Sequence, residues 1–143
     1  MKPAALLPIL ALCACNPYRQ LRSDHVSLPA GELNLKVPKG YKEARTDKEA
    51  GGRVVRSYHY GDGTVFYVAY VPDHGDVQPI DYAQHVPAFS SVGDTLFKDR
   101  GGADRYWRED RKGLLRAGYV NVPEGRPEIV FDSAVNFVRR VLR

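Results

Sequence analysis

The chain has 143 residues and a formal charge of +4, with 43% hydrophobic and 27% charged residues. Because a domain usually contains about 100–200 residues, this length predicts a single domain. The composition is that of an ordinary globular protein, which excludes collagen-like, coiled-coil and wholly disordered classes. The sequence has no apolar run of about 20 residues, so a multi-spanning membrane protein is excluded as well.

The N-terminal residues have the composition of a signal peptide. Lys2 supplies a positive start, and residues 4–12 form an apolar stretch of the usual length of about 7–15 residues. The stretch ends in Leu12-Cys13-Ala14-Cys15, which resembles the lipobox of bacterial lipoproteins. In that pattern a Leu lies three places before the cut and a small residue just before it, and the Cys just after it receives the lipid.

The resemblance implies cleavage after Ala14 and acylation of Cys15, which would anchor the mature protein in a membrane. A plain secretory signal and a retained N-terminal helix are the alternatives, and Pro3 and Pro8 disfavour the helix. Residues 16–20 lack the Asp that retains enterobacterial lipoproteins in the inner membrane. The resemblance therefore implies the bacterial cell envelope, at the periplasmic side of the outer membrane.

The positions of the cysteines agree with the predicted lipid attachment. The two cysteines of the chain are Cys13 and Cys15, so cleavage removes one and acylation consumes the other. The mature domain then has no disulfide and no cysteine metal site. We predict a signal peptide over residues 1–14, a lipidated Cys and tether over 15–31, and one domain over 32–143.

The domain opens with a predicted strand. Leu33, Leu35 and Val37 alternate with polar residues, and a Pro/Gly turn follows at 38–41. Residues 42–52 are charged and end in two glycines, which favours a loop. Residues 53–60 and 64–71 predict a hairpin around Gly61-Asp62-Gly63. Its register is open, since Tyr58 pairs with Phe66 across a three-residue loop and with Tyr67 across a two-residue loop.

The second half of the chain is less regular. Residues 72–79 favour a loop, residues 81–86 a short helix, and residues 89–97 fit more than one element. Residues 104–110 and 114–122 predict a second hairpin. The last element is a helix from Ser133 to about Leu142, capped by Asp132, with an apolar stripe at helical spacing.

This order of elements predicts an α+β fold, in which a single antiparallel β-sheet carries the C-terminal helix on one face as an α/β sandwich. The segments LNLKVPKGY and FDSAVNFVRRVLR resemble the PsbP-like domain. That family opens with a strand running into a Pro-Gly-aromatic turn and closes with a helix on the sheet. The resemblance implies the fold and carries no function by itself.

Residues that often hold metals are present without a metal-binding spacing. Asp73-His74-Gly75-Asp76, with Asp81 and His85 nearby, offers oxygen and nitrogen ligands. The sequence nevertheless lacks HExxH, paired histidines four apart and EF-hand spacing. A polar loop is the favoured interpretation, and we predict neither a metal nor a cofactor.

Catalytic motifs are also absent from the sequence. The serines considered lie outside any Gly-x-Ser-x-Gly elbow; they are Ser57, Ser90, Ser91 and Ser133. The paired glycines match no phosphate-binding loop. Our first hypothesis is therefore a non-catalytic protein. A catalytic triad can also be assembled from residues that are distant in sequence, so the second hypothesis is a small lipid-anchored hydrolase.

Basic and aromatic residues concentrate between residues 100 and 119. On an alternating strand Tyr106 and Arg108 share one face, and Trp107 and Glu109 share the other. A solvated outer face with Trp107 in the core is one interpretation. The other is an interaction surface for a protein partner or an anionic envelope component, with contact residues Arg105, Tyr106, Arg108 and Arg116. Export makes nucleic acid an unexpected partner.

Overall fold

The computed structural model describes residues 16–75, 89–91, 94–100 and 105–141. Within these ranges the chain forms nine strands and one α-helix, with short 3₁₀ turns at Pro17–Gln20 and Ala50–Gly52. In chain order the elements are β1 Leu21–Leu28, β2 Gly31–Pro38, β3 Glu43–Lys48, β4 Val54–His59, β5 Val65–Tyr70, β6 Phe89–Ser91, β7 Asp94–Arg100, β8 Arg105–Lys112, β9 Leu115–Pro123 and α1 Arg126–Val141.

The strands form two antiparallel sheets. β1 and β2 pair with each other, and the remaining strands form a seven-stranded sheet in the order β3-β4-β5-β9-β8-β7-β6. The fold is α+β, as predicted, but the prediction of a single sheet is wrong. The second sheet was missed because its first strand lies in residues that we predicted to be a tether.

The domain therefore begins before residue 32. Leu21, Val26 and Leu28 of β1 are buried, and every residue of β1 pairs with one of β2, from Leu21 opposite Pro38 to Leu28 opposite Gly31. The apolar positions of β1 are few and unevenly spaced, so the sequence resembled a polar linker. Pairing with β2 places three of those side chains in the core.

A charged strand likewise replaces the predicted loop at residues 42–52. β3 lies at the edge of the large sheet and is mostly exposed. Exposed edge strands often carry charges, which prevent pairing with other chains. The pattern of β3 therefore shows no hydrophobic alternation.

Both predicted hairpins are confirmed. β4 and β5 pair with Tyr58 opposite Phe66, which selects the three-residue loop. β8 and β9 form the second hairpin, whose register shifts between Tyr106 and Arg108. Asn121, on the opposing strand, has a positive φ of 57°.

β6 and β7 also pair with each other, in the part of the chain whose sequence fitted more than one element. The short helix predicted at 81–86 lies outside the described residues.

The C-terminal helix is confirmed, but it begins earlier than predicted. α1 starts at Arg126, just after Gly125, whose φ of 93° is a conformation that favours glycine. Pro127 fits the first turn because the N–H groups there have no helical acceptor. Asp132 is consequently an interior residue of the helix and not its cap.

The main core lies between α1, the small sheet and one face of the large sheet. Buried Leu35 and Val37 from β2, Phe66 from β5 and Val135 from α1 belong to the same cluster. Phe131 of α1 makes edge-to-face ring contacts with three aromatic residues of the large sheet. They are Tyr60 just after β4, Phe66 on β5 and Tyr119 on β9. Such contacts add to the stability from burial. A smaller cluster, which includes Tyr67 and Trp107, lies on the opposite face.

Candidate functional site

The four predicted contact residues do not form one surface. Arg105 and Tyr106 lie near the start of β8 and are partly exposed. Arg105 Nη1 donates to the Asn121 carbonyl at 2.9 Å and lies 3.4 Å from Asp62 Oδ2. Arg108 and Arg116 are both buried, and they lie on opposite faces of the sheet. Arg105 and Tyr106 are therefore the members of the predicted set that remain at the surface.

Arg108 is the centre of an ion-pair network on the helix side of the sheet. Its side chain is only 8% exposed. It donates twice to Asp110 at 2.8 Å, to Asp132 Oδ1 at 3.0 Å and to Asn136 Oδ1 at 2.8 Å. Burial alone would lower the pKa of Arg108, but the two carboxylates more than offset this and raise it. Arg108 thus links β8 to α1 and is not available as a contact residue.

A second charged network occupies the other face. Glu109, with 0% exposure, accepts a hydrogen bond from the Tyr67 hydroxyl through Oε2 and one from Arg111 Nε at 2.6 Å through Oε1. Arg116 Nη1 lies 3.7 Å from the same Oε1 atom. Trp107 is buried on this face as well, in agreement with the interpretation that placed it in the core.

Gly118 makes this network possible. It lies opposite both Tyr67 on β5 and Glu109 on β8. A Cβ atom at this position would lie 2.6 Å from the Tyr67 hydroxyl oxygen and would also collide with the Arg108 carbonyl oxygen. The missing side chain lets the Tyr67 ring cross β9 and reach Glu109.

A serine and a histidine form a hydrogen-bonded pair on the same face, at β4. Ser57 Oγ and His59 Nε2 are 2.9 Å apart. Glu43 lies opposite His59 in the register of β3 and β4, but both of its carboxylate oxygens accept hydrogen bonds from Arg45. Ser57 is buried. The pair has the composition of a nucleophile and its base, and among the described residues no carboxylate is hydrogen-bonded to the histidine.

Two open clefts adjoin the N-terminal end of α1. The larger has a volume of about 390 Å³ and lies between the small sheet and the helix, with Pro38, Lys39, Arg126 and Val130 in its wall. The smaller has about 280 Å³ and is lined by the β4–β5 turn and the end of β9. Pro127 and Phe131 line both. The smaller cleft includes Asp62, whose Oδ2 atom lies 3.4 Å from the partly exposed Arg105 side chain.

The predicted polar loop after β5 contains a strong ion pair. Arg53 donates to both oxygens of Asp73, with the closest contact at 2.5 Å. This hydrogen bonding lowers the pKa of Asp73 to about 2. Asp76, Asp81 and His85 lie outside the described residues. Among the residues that are described, no group of three or more His, Cys, Asp or Glu side chains is placed to hold a metal ion.

The predicted lipid-attachment residues, Leu12, Ala14 and Cys15, also lie outside the described part of the chain. In the described ranges, no helix has the length and apolarity needed to cross a membrane. Comparison of the chain with protein families, with curated proteins and with solved structures finds no match.

Sequence reasoning missed the buried network around Glu109. One signal was available, because Glu109 was assigned to the face of Trp107, and Trp107 was expected in the core. A carboxylate on a buried face requires buried partners. Arg111 was within reach of the same argument, because it lies two residues after Glu109 on β8 and shares its face. Tyr67 could not be chosen from the sequence, since β5 reaches β8 only across β9.

Proposed function

We propose that this protein is a lipid-anchored component of the bacterial envelope that binds a protein partner or an envelope component without catalysing a reaction. The sequence Leu12-Cys13-Ala14-Cys15 at the end of an apolar N-terminal stretch carries the proposal. Acylation of Cys15 would hold the domain at the periplasmic side of the outer membrane. Several acyl chains give stable anchoring, whereas a single chain gives only reversible binding.

The contact surface that we propose joins Arg105 and Tyr106 to the smaller cleft. The cleft brings Tyr60, Pro127 and Phe131 together with Asp62. Aromatic and Arg side chains beside a concave apolar surface are typical of protein-binding sites. This surface replaces the predicted set of four, because Arg108 and Arg116 are buried.

The anchor is tested by expressing the full chain beside Cys15→Ala in a bacterial host. We expect the wild type to lose residues 1–14, to gain the mass of its acyl chains and to fractionate with the outer membrane. Cys15→Ala should remain unacylated and leave the membrane fraction. An acylated Cys15→Ala protein, or a wild type that keeps Met1 to Ala14, would contradict the proposed anchor.

The contact surface is tested by crosslinking in the envelope. Arg105→Glu combined with Tyr106→Ala should weaken every specific crosslink, because it changes the charge and removes an aromatic ring beside the cleft. Arg22→Glu changes an exposed residue on β1 and serves as the control. Crosslinks that survive the double substitution unchanged would place the contact surface elsewhere.

A hydrolase is the second candidate, and the hydrogen bond between Ser57 and His59 is the observation that favours it. If Ser57 were a nucleophile, Ser57→Ala and His59→Ala would each abolish turnover of ester substrates. Ser27→Ala, an exposed serine on β1, is the matched control. Ester hydrolysis by the wild type that either variant removes would overturn the non-catalytic proposal.

We also propose that the domain belongs to the PsbP-like fold. The strand β2 that runs into Pro38-Lys39-Gly40-Tyr41 and the closing helix on the sheet support this. An experimentally determined structure of this protein, superimposed on PsbP-like domains, tests the proposal. A strand order in the large sheet that differs from the order in those domains would overturn it.

A further inference from the structure

We propose that Arg116 is the recognition residue of a binding site for a phosphate-sized oxyanion on the face of the large sheet opposite α1. The Arg116 side chain is 3% exposed. Its Nη1 atom is buried and has no hydrogen-bond partner among the residues that the structure describes. A buried guanidinium without full hydrogen bonding is costly, and an oxyanion would relieve that cost.

Glu109 does not satisfy Arg116. The separation of 3.7 Å between Arg116 Nη1 and Glu109 Oε1 is too long for a hydrogen bond. The same oxygen accepts from Arg111 Nε at 2.6 Å, and the other oxygen accepts from Tyr67. Closer donors therefore hold both oxygens of the carboxylate, and Arg116 is left with a distant electrostatic contact.

The register of the strands places Arg116 beside a second cation, and this arrangement favours a bound anion. Arg116 on β9 lies directly opposite Arg111 on β8, and like charges in directly opposed positions repel. On its other side Arg116 lies opposite Ala69, whose apolar side chain offers the guanidinium no hydrogen bond. The carboxylate of Glu109 lies beside both cations but carries one negative charge against their two positive charges, and an oxyanion beside Arg116 would balance the second.

Oxyanions of phosphate geometry fit a guanidinium because two parallel N–H groups can bind two oxygens. The ligand would be free inorganic phosphate or the phosphate group of a small ester, and the two share the same recognition chemistry. The near-complete burial of Arg116 favours a small ligand over an extended surface. This site is independent of the lipid anchor and of the contact surface at Arg105.

The experiment measures the thermal unfolding of the purified full chain against inorganic phosphate, with chloride at matched ionic strength as the reference. We expect a saturable rise of the wild-type Tm with phosphate. Arg116→Met keeps the length of the side chain without its charge, and should lose about tenfold or more in phosphate affinity. Arg22→Met, at an exposed position of β1, should keep the wild-type response.

A parallel titration with glycerol phosphate separates the two sources. A lower half-saturating concentration for the ester assigns the site to phosphate esters, and a higher one assigns it to free phosphate. If Arg116→Met does not fold, ³¹P line broadening of inorganic phosphate by the wild type, saturable and reversed by excess ester, supports the site. A wild-type Tm that responds equally to phosphate and chloride, or an Arg116→Met variant with an unchanged response, overturns the proposal.

Discussion

Two neighbouring residues of β8 carry buried charge to opposite sides of the large sheet. Arg108 faces α1 and pairs with Asp110 and Asp132. Glu109 faces the other way and pairs with Arg111. Alternation along a strand makes this division unavoidable, and both faces are covered in the folded protein.

Replacing Arg108 tests how strongly the helix-side network stabilises the fold. Arg108→Met should lower the free energy of unfolding by about 3–5 kcal/mol, because Asp110 and Asp132 would lose their shared cation in a buried setting. Denaturant unfolding at neutral pH measures the change. The exposed Arg22→Met is the control and should stay within about 0.5 kcal/mol of the wild type. A loss for Arg108→Met no larger than that of the control would contradict this role.

The elements depend on partners that are distant in sequence. β1 and β3 are strands because β2 and β4 supply their hydrogen bonds, and neither has the alternation that predicts a strand. β2, β4 and β5 carry recognisable patterns of their own. The unpredicted strands are thus those whose local sequence is dominated by polar residues.

The assignment of β1 to the domain is tested at Leu28. Leu28→Ala should destabilise the protein by roughly 2–4 kcal/mol, as expected for a buried leucine, because Leu28 belongs to the main core. Its neighbour Ser27 is exposed, and Ser27→Ala should have little effect. Chemical denaturation of both variants measures the difference, and equal stabilities would favour the tether interpretation.

The packing of β9 between β5 and β8 is tested at Gly118. Gly118→Ala should cost more than about 2 kcal/mol, since the new methyl group would overlap backbone and the Tyr67 ring in a closely packed site. Gly61→Ala is the matched control, because the nearest atom to its added Cβ is a Lys42 side-chain carbon at 3.7 Å. Thermal unfolding of the two variants should separate them clearly. Similar Tm values would show that β9 can shift without cost.

At the scale of the whole molecule, the stability is divided between a shared apolar core and ion pairs at its margins. The core joins α1, the small sheet and the large sheet in one cluster. At the boundary between the sheets, Asp24 of β1 accepts hydrogen bonds from Tyr58 at 2.5 Å and from Arg56 at 3.4 Å, both on β4. The two sheets are therefore joined by polar as well as apolar contacts.

The carboxylates give the molecule a definite dependence on pH. Burial raises the pKa of Asp24, but hydrogen bonds from Tyr58, the His25 backbone and Arg56 outweigh it, and the net pKa is lowered. Hydrogen bonding lowers the pKa of Asp73 as well, to about 2. Carboxyls with lowered folded-state pKa values stabilise the fold above their ordinary values of about 4, and this contribution is lost as pH falls through the folded values.

We therefore expect the Tm to fall as the pH is lowered from about 5 to about 2. His25 acts in the opposite sense, because its hydrogen bond to Asn34 raises its pKa, so its contribution is lost as pH rises through that value. Because His25 stays protonated between about pH 5 and 2, thermal unfolding across this range measures the contribution of the carboxylates. Asp24→Asn should flatten the acid limb, while Asp47→Asn, on the exposed edge strand β3, should leave it unchanged. An acid limb that Asp24→Asn does not alter would contradict the role of Asp24.

Local patterns in the sequence were sufficient for the α+β class, for both predicted hairpins and for the presence of the C-terminal helix. Alternation, a Gly-Asp-Gly turn and an apolar stripe at helical spacing each involve residues that are near one another in the chain. The sequence also supplies the lipobox pattern on which the proposed anchor depends. It left the register at Tyr58 open, because the two loop lengths are both compatible with those residues.

Only the tertiary structure decided which of these surfaces are covered. It placed Arg108 against α1, brought Tyr67 to Glu109 over Gly118, and buried Arg116 on the face opposite the helix. Alternation tells which residues share a face of a strand, but it does not tell which elements will pack on that face. The burial of a charge depends on those distant elements, and for this reason two of the four predicted surface residues are partly exposed and two are buried.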